Sequence, residues 1–363
     1  MSDTHGNGKT RLTSIEIGHL WNAYMWESLV HHALVYFTAH VHDKDLSELY
    51  TQWLDATKRS LEILKNLFQQ EKIPIPRGIT SDDIYPNAPR LFSDKFSMVY
   101  AVNMARLGMQ AFATAYAQSS RKDIRETFEH YIYRLTLTNK QAVDMAMVKG
   151  VYEYPPPIST PNRIDFVHRK SFFSGLFGNK RPLTALEITH LFINAEMNAV
   201  GKAFITGLAQ VTKTEEIRKY FLHGKAIAEK LFSLFSEVLL RNGISVPSTY
   251  DHEIIGTTES PFSDRFMLYH INALNNFGFG TYGMALSTSP RLDLVLLYVR
   301  TMLQVGLYAK SGANLMVKNG WFEQPPSPQY SEDRREKSEW NAVSPSPAMK
   351  PLDNQQDDQK EIE

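Results

Sequence analysis

The sequence predicts an all-α protein built from two tandem copies of one helical domain. The chain has 363 residues, enough for two or three domains that each bury a core. Apolar residues recur with a period close to 3.6, and Val, Ile and Thr do not form alternating runs, so the segments are typical of helices. An internal repeat divides these helices into two sets, and the domain assignment depends on it.

The repeat is visible where each copy opens. Residues 12–20 read LTSIEIGHL and residues 183–191 read LTALEITHL, an offset of 171 residues. Further along, FSDKF at 92–96 matches FSDRF at 262–266, an offset of 170. The predicted organisation is a disordered N-terminus at 1–11, repeat 1 at 12–154, an aromatic and basic linker at 155–182, repeat 2 at 183–328, and a disordered tail at 329–363.

Each repeat is expected to contain four helices. Their predicted ranges are Thr13 to His40, Lys44 to Glu71, Ser93 to Ser119, Arg121 to Lys149, Thr184 to Val211, Thr214 to Asn242, Ser263 to Ser287 and Pro290 to Asn319. Several helix ends carry capping patterns. These are capping boxes at Thr13/Glu16 and Thr184/Glu187, a similar pattern at Ser120/Asp123, Pro290 at a first helical position, and left-handed caps at Gly150, Gly243 and Gly320.

The connections between the helices choose the topology. Few residues join the first two helices or the last two helices of each repeat, so each pair is an antiparallel hairpin. The middle connections, 72–92 and 243–262, are about 20 residues long and could reach roughly 65 Å if fully extended. A predicted helix of about 27 residues is only roughly 40 Å long, so the connection can run the length of the bundle. A long crossover between the second and third helices is the ferritin-like arrangement of a four-helix bundle.

These motifs resemble a tandem-repeat, ferritin-like family of unknown function from spore-forming bacilli, whose members are sometimes labelled spore-coat or coat-like proteins. The resemblance covers residues 12–328. It is carried by the paired openings, the paired FSD-basic-F segments, KRPL at 180–183 and GWFEQPP at 320–326. The resemblance implies the fold, but it implies no activity, because the family has no established reaction.

Composition excludes several classes of function. Lys and Arg total 39 and so do Asp and Glu, so no bulk attraction to nucleic acid or acidic lipid is expected. The chain has no cysteine, which excludes disulfides, a thiol nucleophile and Cys-held metals. Residues 1–11 are polar, and the longest apolar stretch identified, 101–117, is interrupted by Asn103 and Arg106. We expect a cytoplasmic protein without a signal peptide or a transmembrane segment.

A ferritin-like fold raises the question of a di-metal site. Such a site needs Glu from two helices and Glu-x-x-His from the other two. Glu16/His19 and Glu187/His190 have this spacing, but both Glu residues lie in first turns, where capping explains them. The remaining helices do not supply the other ligands, so no di-metal centre is expected.

A looser metal site at Glu27 and His31, which are four residues apart on the first helix, remains an alternative. The favoured interpretation is that these side chains are solvated or hydrogen-bonded, because no second Glu or His pattern completes a ligand shell. No catalytic residue and no cofactor-binding residue is predicted.

The linker mixes basic and apolar side chains. They are Arg163, Phe166, His168, Arg169, Lys170, Phe172, Phe173, Leu176, Phe177, Lys180 and Arg181. Nucleic-acid or membrane contact is one interpretation of this mixture. The favoured one is that the apolar residues pack across both bundles and fix their orientation.

The leading functional hypothesis is a non-enzymatic structural or interaction protein of a spore-forming bacterium, associated with the spore coat and able to bind protein partners or itself. It rests on the resemblance and on the missing catalytic set. Two alternatives remain open. One is a metal-binding ferritin-like protein with a degenerate site, and the other is a small-molecule binder with an apolar cavity between the bundles.

Overall fold

The computed structural model describes residues 10–176 and 180–327. Within these residues the protein is all-α, with eight helices and no strand beyond isolated β-bridges. The helices are α1 Ser14–His40, α2 Lys44–Gln70, α3 Asp94–Gln118, α4 Lys122–Val148, α5 Ala185–Val211, α6 Glu215–Arg241, α7 Asp264–Thr288 and α8 Leu292–Lys318. Short 3₁₀ turns lie at Ser81–Asp83, Lys170–Phe173 and Asp251–Glu253. The segments expected to be disordered lie almost wholly outside the described residues.

The helix ends follow the capping patterns, with two exceptions. Both predicted capping boxes form, and all three glycines adopt positive φ, between 67° and 69°. The capping pattern predicted at Ser120/Asp123 does not form, because the N-cap of α4 is Arg121, whose side chain makes no capping hydrogen bond. Pro290 also lies outside α8, whose N-cap is Arg291.

Glu16 replaces the expected cap of α4. Its carboxylate accepts hydrogen bonds from the backbone N–H of Thr13 and also from those of Ser120 and Arg121. These hydrogen bonds outweigh the effect of burial and lower the pKa of Glu16 to about 2. One buried carboxylate therefore joins the starts of α1 and α4.

The helices of each repeat pack as two hairpins. In repeat 1 the hairpins are α1–α2 and α3–α4, and they meet through α1 against α3 and α2 against α4. In repeat 2 the same pattern joins α5–α6 to α7–α8. The second and third helices of each repeat are connected by residues 71–93 and 242–263.

The two repeats belong to one compact unit that ends at Gln324. The connections 71–93 and 242–263, which we call the crossovers, meet each other in a reciprocal way. The backbone N–H of Tyr85 donates to the carbonyl of Pro261, and that of Ile255 donates to the carbonyl of Leu91, both at 2.8 Å. Matching segments of the two repeats therefore form one joint.

The same joint covers the starts of α3 and α7. The backbone N–H of Ser263 donates to the carbonyl of Asp83 at 2.8 Å, and that of Ser93 donates to the carbonyl of Glu253 at 2.9 Å. The side chains repeat this exchange, because the Ser263 and Ser93 hydroxyls donate to the carboxylates of Asp83 and Glu253 at 2.7 and 2.6 Å. The FSD-basic-F segments thus belong to the contact between the repeats.

The linker does not pack as expected. Ile164 and Phe166 are 88% and 78% exposed, and Phe173 is about half exposed. Phe172 and Phe173 contact each other, with ring centroids 5.5 Å apart, and the Arg181 guanidinium lies 4.1 Å from the Phe172 ring centroid. The prediction that the linker's apolar residues pack across both repeats is therefore wrong for these side chains, because no helix places them against a core; Phe177 lies outside the described residues.

Helix α8 is strongly apolar, and the predicted apolar stretch at 101–117 does not include it. Among the described helices it alone has the length and mean hydropathy, 1.3 over its most apolar window, of a membrane span, and 28% of that window is buried. Leu303 and Leu307 are more than half exposed on it. The absence of a transmembrane segment stays a prediction.

Candidate functional site

The structure places Glu27 and His31 inside repeat 1 with other partners than a metal. The Glu27 side chain is 1% exposed and accepts two hydrogen bonds from the Arg134 guanidinium, at 2.7 and 3.2 Å. Arg134 also donates to the Ser60 hydroxyl. The Glu27 carboxylate is therefore neutralised by a cation from α4.

His31 has a separate hydrogen-bond partner, the Thr57 hydroxyl, at 3.0 Å from Nδ1. Burial, followed by the nearby His32, lowers the pKa of His31 to about 4. Within residues 10–176 and 180–327, no group of three or more His, Asp and Glu side chains is placed to hold a metal. The metal alternative at Glu27 and His31 stays a prediction.

Repeat 2 has a different interior. The positions equivalent to Glu27 and Arg134 are Asn198 and Gln304. Asn198 is buried, and its amide nitrogen donates to the Tyr282 hydroxyl at 2.9 Å. The ion pair of repeat 1 is thus replaced by neutral side chains.

A cavity of about 120 Å³ lies among these residues of repeat 2. Its walls come from α5, α6, α7 and α8, and α3 of repeat 1 closes one side with Tyr100, Asn103, Met104 and Leu107. An apolar cavity between the bundles is one of the alternatives that the sequence leaves open, without assigned residues. The feature that could have located it is Gly201, a glycine within a helix where repeat 1 has Val30.

The side of the cavity next to repeat 1 is aromatic. Phe204 of α5 packs against Phe92, Phe96 and Tyr100, with ring centroids 5.5 to 6.3 Å apart. The His270 ring lies 4.6 Å from the Phe204 ring. These rings belong to both repeats, so the cavity wall and the joint are continuous.

His270 is a buried titratable group that lies behind this wall, in contact with Phe204. It is fully buried, its Nε2 lies 3.3 Å from the Tyr100 hydroxyl, and its Nδ1 has no hydrogen-bond partner. Burial lowers the pKa of His270 to about 3. The imidazole is therefore neutral in the folded protein at pH 7.

We expect His270 to make the protein less stable as the pH falls. An unfolded histidine takes up a proton near pH 6.5, whereas the folded one does not until about pH 3. The contribution of His270 to the free energy of unfolding is fully present above pH 6.5. It is lost progressively below that pH, by about 2 kcal/mol at pH 5. Urea unfolding of the His270→Phe variant between pH 8 and 5 should show a shallower decline than the wild type, and equal slopes would contradict this assignment.

The fold and the interior define a protein of two tandem all-α repeats. The family model for "Protein of unknown function (DUF3231)" matches residues 3–164 and again 171–333. The chain belongs to this family, in two tandem copies. The predicted resemblance to a tandem-repeat family of unknown function is confirmed.

A solved structure is similar to one part of the chain. It is that of a protein from Bacillus halodurans C-125 named "putative spore coat protein", at 19% identity and a TM-score of 0.38. The match covers 41% of this chain and 97% of that one. A search among curated proteins gives no match.

Proposed function

We propose that the protein is a non-enzymatic structural protein in which two ferritin-like four-helix bundles act as one rigid body. The bundles correspond to 12–154 and 183–328, with the linker 155–182 between them. The long middle connection of each repeat and the order of helix contacts support the ferritin-like topology.

The observation that carries the proposal is that the repeated motifs form helix ends and the contact between the repeats. The paired Thr/Glu openings form capping boxes, and the paired FSD-basic-F segments bind the opposite crossover. Catalytic groups are usually recognised by side chains that converge on a pocket with a reacting atom between them. Here the side chains shared by the two copies build helix ends and the joint, which favours an architectural role.

The place of action we propose is the spore of a spore-forming bacterium, with synthesis in the cytoplasm and contacts to protein partners or to further copies of the chain. The family resemblance of the sequence motifs supports this assignment. Detecting the protein by antibody in washed spores and in coat extracts tests it. Enrichment in the coat extract is the expected result, and its restriction to vegetative cells would contradict the proposal.

The metal-binding alternative has its own test, which is elemental analysis of protein purified without chelator. We expect Fe, Mn and Zn far below one equivalent, because Arg134 already neutralises Glu27. A stoichiometric metal that is lost in the Glu27→Gln variant would favour the alternative.

A further inference from the structure

We propose that the cavity of repeat 2 is a binding site for a small, neutral, apolar molecule about the size of one six-membered ring, carrying a single hydrogen-bond acceptor. This site goes beyond the structural role. Four properties of the cavity lead to it: its volume, the absence of charged side chains in its walls, an amide nitrogen without a hydrogen-bond partner, and its difference from repeat 1.

The volume sets the size of the ligand. A dry cavity of about 150 Å³ lined by Leu, Ile and Phe binds benzene or xenon. The cavity of repeat 2 has about 120 Å³ and is lined mainly by Met, Leu, Ile, Val and Phe side chains. A single ring or a short branched chain fits a space of this order, and a nucleotide or a sugar phosphate does not.

The walls set the charge of the ligand. None of the residues that line the cavity is Asp, Glu, Lys, Arg or His. An ion placed there would lose its hydration without gaining an opposite charge, which costs far more than transferring a neutral molecule. The ligand is therefore uncharged.

Asn275 sets the polar feature of the ligand. Its amide nitrogen Nδ2 is buried and has no hydrogen-bond partner of good geometry, although it lies near the Tyr220 hydroxyl. The other two amides of the wall are engaged, because Asn103 donates to the Val99 carbonyl and Asn198 donates to Asn194 and Tyr282. A ligand acceptor would satisfy the free donor of Asn275.

The comparison with repeat 1 shows that the space is not a requirement of the fold. Along α5 the lining residues Met197, Val200 and Gly201 replace the larger Trp26, Leu29 and Val30 of α1. A Cβ atom at Gly201 would meet no neighbour within 4 Å, so the space beside this glycine is open. Val30, in the equivalent place, is 2% exposed.

The test uses benzene, pyridine and N-methylpyridinium with the full chain at pH 8, followed by ligand-detected NMR titration. These probes share one ring and differ in the acceptor and the charge. We expect benzene and pyridine to bind with dissociation constants in the millimolar range or below, and N-methylpyridinium to bind at least tenfold more weakly. Failure of both neutral rings to bind would overturn the proposal, and so would equal binding of the cation.

Two variants locate the binding. Gly201→Val, which introduces the residue of repeat 1, should weaken both neutral rings at least tenfold. Asn275→Leu should weaken pyridine about three- to tenfold while leaving benzene unchanged, since one hydrogen bond contributes about 0.5–1.5 kcal/mol.

Gly18→Val is the matched control, because Gly18 also lies in a helix with no neighbour within 4 Å of a Cβ atom and does not line the cavity. Circular dichroism shows whether each variant is folded. Unchanged binding by folded Gly201→Val would place the rings elsewhere and overturn the proposal. Equal loss of benzene and pyridine in folded Asn275→Leu would overturn the assignment of the acceptor.

Discussion

Replacing Asp83 with alanine is expected to destabilise the protein by about 3–5 kcal/mol, the usual cost of leaving one partner of a buried ion pair alone. Arg265 donates from Nη1 to the Asp83 carboxylate at 2.6 Å, and the two side chains are 10% and 6% exposed. Arg265 also donates to the carbonyl of Gly78. Without Asp83 its charge would remain buried in the joint, and urea unfolding measures the loss.

Glu253 provides the matched control, since it is the residue of repeat 2 at the position of Asp83. It accepts a hydrogen bond from Ser93 as Asp83 does from Ser263, but its cation is Lys95, at 3.5 Å and 47% exposed. Exposed ion pairs contribute about 0–1 kcal/mol. Glu253→Ala should therefore lower the free energy of unfolding clearly less than Asp83→Ala. Equal losses would show that the burial of Arg265 does not make the Asp83 ion pair more important than that of Glu253.

The Glu27→Ala substitution is the second change with a large expected effect. It leaves the Arg134 guanidinium, 10% exposed, without its carboxylate inside repeat 1. We expect a loss of about 3–5 kcal/mol in the free energy of unfolding, measured by urea denaturation.

The control for Glu27 is taken from repeat 2. The double variant Glu27→Asn with Arg134→Gln introduces the neutral pair found at 198 and 304. Because neither charge is then buried alone, most of the lost stability should return. A double variant as unstable as Glu27→Ala would contradict this explanation and indicate that the packing of the side chains, and not the unpaired charge, causes the loss.

The helices and their ends could be predicted from the sequence because they depend on local patterns. Apolar periodicity and the Thr/Glu capping boxes act over a few residues, and the left-handed glycines stand directly after helices. The start of α4 is an exception, because its cap depends on a distant residue. The start of α4 is held by Glu16, a carboxylate more than 100 residues away, so no local pattern near Ser120 could reveal its cap.

The interior of the candidate sites depends on contacts that sequence spacing does not show. Glu27 meets Arg134 across 107 residues and Asp83 meets Arg265 across 182. Asp83 and Glu253 occupy equivalent positions of the two repeats, but their equivalence alone does not show which cations they meet. The cavity depends on the sum of several small differences between α1 and α5, which become visible only when the helices are packed.

Differential scanning calorimetry of the full chain tests most directly whether the exchanged crossovers make one body of the two repeats. We expect a single transition whose calorimetric and van't Hoff enthalpies agree. The reason is that the start of the third helix of each repeat is hydrogen-bonded to the crossover of the other repeat. Two transitions, with Asp83→Ala shifting only one of them, would contradict the account.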